Sequence, residues 1–202
     1  MTEKIIPQES DLDSIGEQVA GLIDDFLEPD AEYLNAESRG EETFELSYPF
    51  ELWVIDLSDR TKADSLDAVA KWSKRWHHQV RYKEKAIGYA LSKLDPDKER
   101  SWIVSEVVKS KVAEKIDDAI MQIRENKDLK DDSELRLLSL QDYRVCAFWM
   151  KDAGEVYVID CPSSFKYLRP KEELHQEKFL NGLLMEAPII GRIGSRDDDY
   201  QR

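Results

Sequence analysis

The sequence predicts an α+β domain: an antiparallel sheet built from hairpins, with helices packed on it and an amphipathic helix in front. Three observations carry this. Two pairs of strand-like runs are each separated by only a few polar residues, as hairpins require. Apolar residues recur at helical spacing near the start, the middle and the end of the chain. The strand–helix–strand alternation of a wound parallel sheet is not evident.

Residues 1–9 read as a flexible arm, followed by a single domain over 10–186 and a flexible tail over 187–202. Ser10 and Asp13 have capping-box spacing. Behind them Leu12, Ile15, Val19, Leu22, Ile23 and Phe26 predict a helix over 10–28, which Pro29 stops. Gly16 and Gly21 weaken that helix, so it depends on docking. Residues 29–42 are a polar linker.

From Thr43 the period becomes two, and a long strand is expected through Leu57, bent or at an edge where Pro49 removes a backbone donor. Ala63 to about Lys74 reads as a short helix. "HHQVRY" and "AIGYALS" form the first hairpin, joined by "KEK". "SWIVSEVV" is β-prone, and Val112, Ile116, Ala119, Ile120 and Ile123 predict a helix within 109–126. "LRLLSL" leads to the second hairpin, "YRVCAFWM" with "VYVID". Placing Ala153-Gly154 at its tip sets Cys146 opposite Cys161, with Cα atoms about 4.5–5.5 Å apart. Pro170 is expected in the first turn of a last helix that ends at Asn181-Gly182.

The chain has 202 residues, of which 43 are acidic and 29 basic, for a formal charge of −14. That balance opposes nonspecific binding to nucleic acid or to an anionic membrane. The N-terminus has no signal-like apolar run, and no span approaches the ~18 apolar residues of a membrane helix. A soluble cytoplasmic protein is therefore expected. Two cysteines are too few for a disulfide framework; they are expected as buried thiols.

His77 and His78 invite a metal or catalytic reading. In a strand, however, neighbours point to opposite faces, so the two cannot share one metal without an irregular backbone. One is expected to pack inside and the other to lie on the surface, and His175 is remote in sequence. Asp97 with Glu125 and Lys127 imitates the spaced acids and lysine of restriction-type nucleases, but on a loop and a helix end rather than adjoining strands. Gly191 and Gly194 lack the strand–turn–helix setting of a phosphate loop. Ser163 and Ser164 lack the hydrolase elbow. Trp72, Trp76, Trp102 and Trp149 read mainly as packing residues.

No catalytic residue, metal ligand or cofactor emerges. The expected function is a noncatalytic protein-interaction or regulatory module; the alternative is a metal-assisted hydrolase with a dispersed active site. The basic cluster Lys71, Lys74, Arg75, Arg81, Lys83 and Lys85, with Trp76 beside it, is the expected partner-binding element in an acidic chain.

Overall fold

The computed structural model describes residues 5–27, 45–47, 49–57, 64–82, 85–98, 100–126, 135–140 and 144–193; for 23–27, 126 and 187–193 only the backbone is described. The predicted linker at 29–42 and the residues from 194 onward lie outside this set. The class is α+β, with four helices and nine strands among the described residues. No helix there is long and apolar enough to cross a membrane. The chain forms two compact units, residues 1–50 with 74–117 and residues 51–73 with 118–202.

The first unit holds α1 (Glu9–Leu27), β1 (Glu45–Leu46), most of β3 (Ala70–Tyr82), β4 (Lys85–Leu94), β5 (Trp102–Lys109) and the start of α3 (Val112–Asn126). Helix α1 starts one residue before the predicted Ser10. The Gln8 N–H donates to Asp11 Oδ2 at 2.8 Å, so Asp11 rather than Asp13 closes the helix start. Ile15 and Val19 form its buried stripe. Strands β3 and β4 are the first predicted hairpin, antiparallel from Trp76↔Ser92 to Tyr82↔Lys85. Strand β3 begins much earlier than expected. The helix predicted over 63–74 shrinks to the single turn α2 (Leu66–Val69), capped by Ser65, because from Ala70 onward the chain is extended. Strand β5 completes the antiparallel row β3–β4–β5 and stands at its end.

The second unit holds β2 (Phe50–Ile55, from Glu51), β6 (Leu135–Leu140), β7 (Val145–Met150), β8 (Glu155–Asp160), β9 (Glu173–His175) and α4 (Gln176–Ile193). The single long strand expected over 43–57 is two strands. Pro49 cannot donate to a ladder, and the pairing changes there: β1 pairs antiparallel with β3, whereas β2 runs parallel to β6. Strands β6, β7, β8 and β9 follow antiparallel.

The second hairpin forms, but with a different register. Met150 faces Glu155 across the four-residue loop 151–154, where Gly154 takes φ +66. A register shift between Cys146 and Ala147 then places Cys146 opposite Asp160 rather than Cys161. Cys161 is buried and its thiol donates to the Leu168 carbonyl at 3.5 Å, so the predicted cysteine pairing is wrong. The tip misplaced the register: the loop spans four residues, not two.

The end of the chain also departs from expectation. Pro170 precedes β9 rather than opening a helix, and α4 runs through Asn181-Gly182 to Ile193. Gly182 is explained by packing, since a Cβ there would sit 2.7 Å from Leu168 Cδ2. The core of this unit gathers Leu138, Ala147, Trp149, Val156, Val158, Phe179 and Leu183, all fully buried. Each large apolar side chain there contributes about 1.5–3 kcal/mol through burial.

Candidate functional site

The polar chemistry of the first unit is concentrated on β3. Five consecutive residues, Trp76, His77, His78, Gln79 and Val80, are buried, so both faces of the strand are covered. This corrects the expectation of one surface histidine. The two imidazoles do diverge, as the strand period demands, but each meets a polar partner inside the fold. His77 Nε2 lies 3.1 Å from Gln79 Oε1, and its ring stacks on Tyr89 with centroids 4.8 Å apart. His78 Nε2 lies 2.7 Å from Ser92 Oγ.

Gln79 links the strand to α3. Its side-chain amide donates to the Ala113 carbonyl at 2.7 Å and to Asp117 Oδ1 at 3.0 Å, while its backbone N–H donates to Ser47 Oγ at 2.9 Å. Arg81, two residues on along the same face, pairs with the other Asp117 oxygen at 2.8 Å. His77, Gln79, Asp117 and Arg81 thus form one continuous chain of polar contacts.

Burial holds both imidazoles well below the ordinary histidine range. His77 falls from 6.5 to about 4 through desolvation, which the Gln79 hydrogen bond opposes. His78 also falls to about 4, through desolvation and the neighbouring His77, against the Ser47 backbone. Both rings are neutral at neutral pH. Each imidazole nitrogen can accept or donate one hydrogen bond. Each ring engages a partner within the fold through Nε2, while His78 Nδ1 is buried with no partner in hydrogen-bond geometry among the described residues. Among the described residues no three His, Cys, Asp or Glu side chains gather where they could hold one metal ion.

The residues of the predicted basic cluster differ in burial and in pairing. Trp76 is 3% exposed, so it cannot belong to a partner surface. Arg75 pairs with Glu106 at 3.7 Å, Lys85 with Glu114 at 3.1 Å and Lys71, in the second unit, with Asp56 at 3.1 Å. Lys83 lies outside the described residues. Lys74 is exposed, has no ion-pair partner among the described residues, and sits at φ 61, the left-handed region that side chains with a Cβ rarely adopt.

The remaining candidates are not gathered into a site. Asp97 lies in a turn after β4, where its N–H donates to Asp95 Oδ1. Glu125 lies in the last turn of α3, and Lys127 is outside the described residues. Ser163 and Ser164 are exposed in a turn, His175 is exposed on β9, and Gly191 lies within α4.

Sequence reasoning missed two arrangements in the second unit. Arg136, 6% exposed, lies with its guanidinium 4.1 Å from the Trp53 ring centre and 5.0 Å from that of Trp149. Glu51, its register neighbour, accepts from Trp53 Nε1 at 2.9 Å and lies 3.9 Å from Arg136 Nε. The other is Glu186 on α4, fully buried, whose Oε1 accepts the backbone N–H groups of Lys166 and Tyr167 at 2.5 and 2.7 Å. It fastens the loop between β8 and β9. A lone arginine inside "LRLLSL" was the available signal for the first; for the second there was none, because the partners are backbone groups.

The chain matches no known protein-family model, no curated protein and no solved structure.

Proposed function

We propose that this protein is a noncatalytic interaction or regulatory module, and that the exposed cations flanking the buried core of β3 contact an acidic segment of a protein partner. One observation carries this reading: Lys74 presents an exposed, unpaired ammonium from a left-handed backbone position among the described residues. A non-glycine residue there costs of order 1 kcal/mol, and such strain gathers at functional positions. Arg75 and Lys85 support it. Their ion pairs are largely exposed, and such pairs contribute only about 0–1 kcal/mol, so a partner's carboxylate can replace Glu106 or Glu114 with little loss. The same burial that removes His77 and His78 from solvent weighs against a catalytic role for them.

The test is capture of partners from native extract by the full chain, compared with Lys74→Glu and with Lys74→Glu combined with Lys85→Glu. A protein retained by the parent chain, weakened by salt and lost on charge reversal, is the expected result. Retention unaffected by both reversals would overturn the assignment of the contact. A turnover activity abolished by conservative replacement of His77 or His78 in a folded variant would overturn the noncatalytic reading itself.

A further inference from the structure

We infer that Gln18 makes helix α1 a guard over the open edge of β5, and that the occupant it excludes is β5 of a second copy of this chain. Strand β5 ends its row, so its outer N–H and C=O groups have no strand beside them among the described residues. One pair of them is engaged by a side chain. Gln18 Nε2 donates to the Trp102 carbonyl at 3.1 Å, and the Val104 N–H donates to Gln18 Oε1 at 3.0 Å. A primary amide presents a carbonyl and an N–H on the same side, as the N–H and C=O of one strand residue do toward a neighbouring strand. Gln18 therefore stands where the backbone of an added strand would stand, and α1 and strand addition exclude one another. Its second amide hydrogen goes to the Ser14 carbonyl at 3.2 Å, which fixes the side chain to its own helix.

The identity of the excluded strand follows from the edge itself. Trp102–Lys109 contains four β-branched residues, Ile103, Val104, Val107 and Val108, and its two charges, Glu106 and Lys109, cancel. The whole chain carries −14, which opposes contact between copies; β5 is a neutral strip with high strand propensity. An antiparallel edge is also self-complementary about a two-fold axis. The fold blunts this edge a second time. Ser105 is an extra residue at a register shift between Leu91 and Ser92, and such irregularities are among the ways proteins protect exposed edges.

The guard can also open. Of the described α1 side chains only Ile15 and Val19 are buried, Leu22 is 43% exposed, Gly16 and Gly21 lower helix propensity, and no basic residue offsets the dipole in the last turn. This inference does not rest on the acidic-partner reading: it concerns the backbone edge of β5 and another occupant, although Glu106 of β5 is also the ion-pair partner of Arg75.

The experiment uses the full chain with Gln18→Ala and, as an isosteric check, Gln18→Glu, which keeps an acceptor for Val104 but loses the donor to Trp102. Hydrogen exchange at the Val104 amide and sedimentation equilibrium over a wide concentration range are read together. At low concentration Gln18→Ala should speed Val104 exchange about tenfold, the loss of one hydrogen bond. At high concentration it should associate to a dimer at least about tenfold more tightly than the parent chain, with Gln18→Glu between the two. Adding Ser105→Lys, a charge at an exposed edge position, should return the monomer. Unchanged Val104 exchange would remove the guard. Association no stronger than that of the parent chain, or indifferent to Ser105→Lys, would remove the second copy as its occupant.

Discussion

The Gln79 side-chain nitrogen lies 3.0 Å from Asp117 Oδ1, and this one contact fixes hydrogen positions along the whole β3 network. A carboxylate can only accept, and so can the Ala113 carbonyl, so the NH₂ group of Gln79 must face α3. Its Oε1 then faces His77 Nε2, which must carry a proton. His77 is therefore the Nε2–H tautomer when neutral. The ring is positioned as a donor inside the fold, which accounts for a histidine there without any reaction.

The same burial sets a pH dependence. The unfolded chain binds protons at these rings as the pH falls through 6.5, whereas the folded state resists until about 4. Between those values the unfolded state holds more protons, so stability is full above pH 6.5 and declines on acidification. Each imidazole adds up to about 1.4 kcal/mol per pH unit, several kcal/mol for the pair over the window. Urea unfolding at pH 7, 6 and 5 should show this decline, and His77→Gln or His78→Gln should flatten it. Equal slopes in parent and variants would refute the assignment.

Two glycines at helical positions should respond to the same substitution with opposite sign. At Gly21 a Cβ would meet nothing within 4 Å, so Gly21→Ala should gain the helix-propensity difference of about 1 kcal/mol. At Gly182 the same gain is opposed by contacts of 2.7 Å to Leu168 Cδ2 and 3.3 Å to the Tyr167 carbonyl. Leu168 is 1% exposed and has no room to yield, so overpacking of about 1–3 kcal/mol wins. Thermal unfolding of both variants checks the contrast; stabilisation by Gly182→Ala would contradict the packing.

Local periodicity made the hairpins, α1 and α3 legible, because each is specified by residues within a few turns or one ladder. What failed depended on pairing. Pro49 announced a break, but not that β1 and β2 would take different partners. Ala70 to Lys74 read as helix because Ala, Lys and Trp are compatible with either state, and only the ladder decides. The β7–β8 register turned on the length of the loop at Lys151–Gly154. The His77–Gln79–Arg81 face followed from period two, but Asp117 on α3 could not be placed opposite it without the fold. Period two makes the two histidines diverge, but it does not say that both sheet faces are covered, a tertiary fact that buries the one expected at the surface.

Arg136 offers the sharpest test of a polar group in the core. Its guanidinium lies 4.1 and 5.0 Å from two indole centres and beside Glu51, whose carboxylate also receives the Trp53 N–H. A planar, weakly hydrated cation suits such faces; a compact ammonium does not, and carries a larger desolvation cost. Arg136→Lys should therefore cost about 1–3 kcal/mol although charge is retained. Arg136→Met keeps much of the apolar stem but leaves Glu51, 6% exposed, without its cation, and should cost more, about 3–5 kcal/mol. Pairing Arg136→Met with Glu51→Gln removes both charges and should recover part of that loss, since the Gln carbonyl can still accept from Trp53. Denaturant unfolding of these chains, with Glu51→Gln alone closing the double-mutant cycle, measures the coupling. A lysine variant as stable as the parent would show that charge alone, and not stacking on the indoles, holds this position.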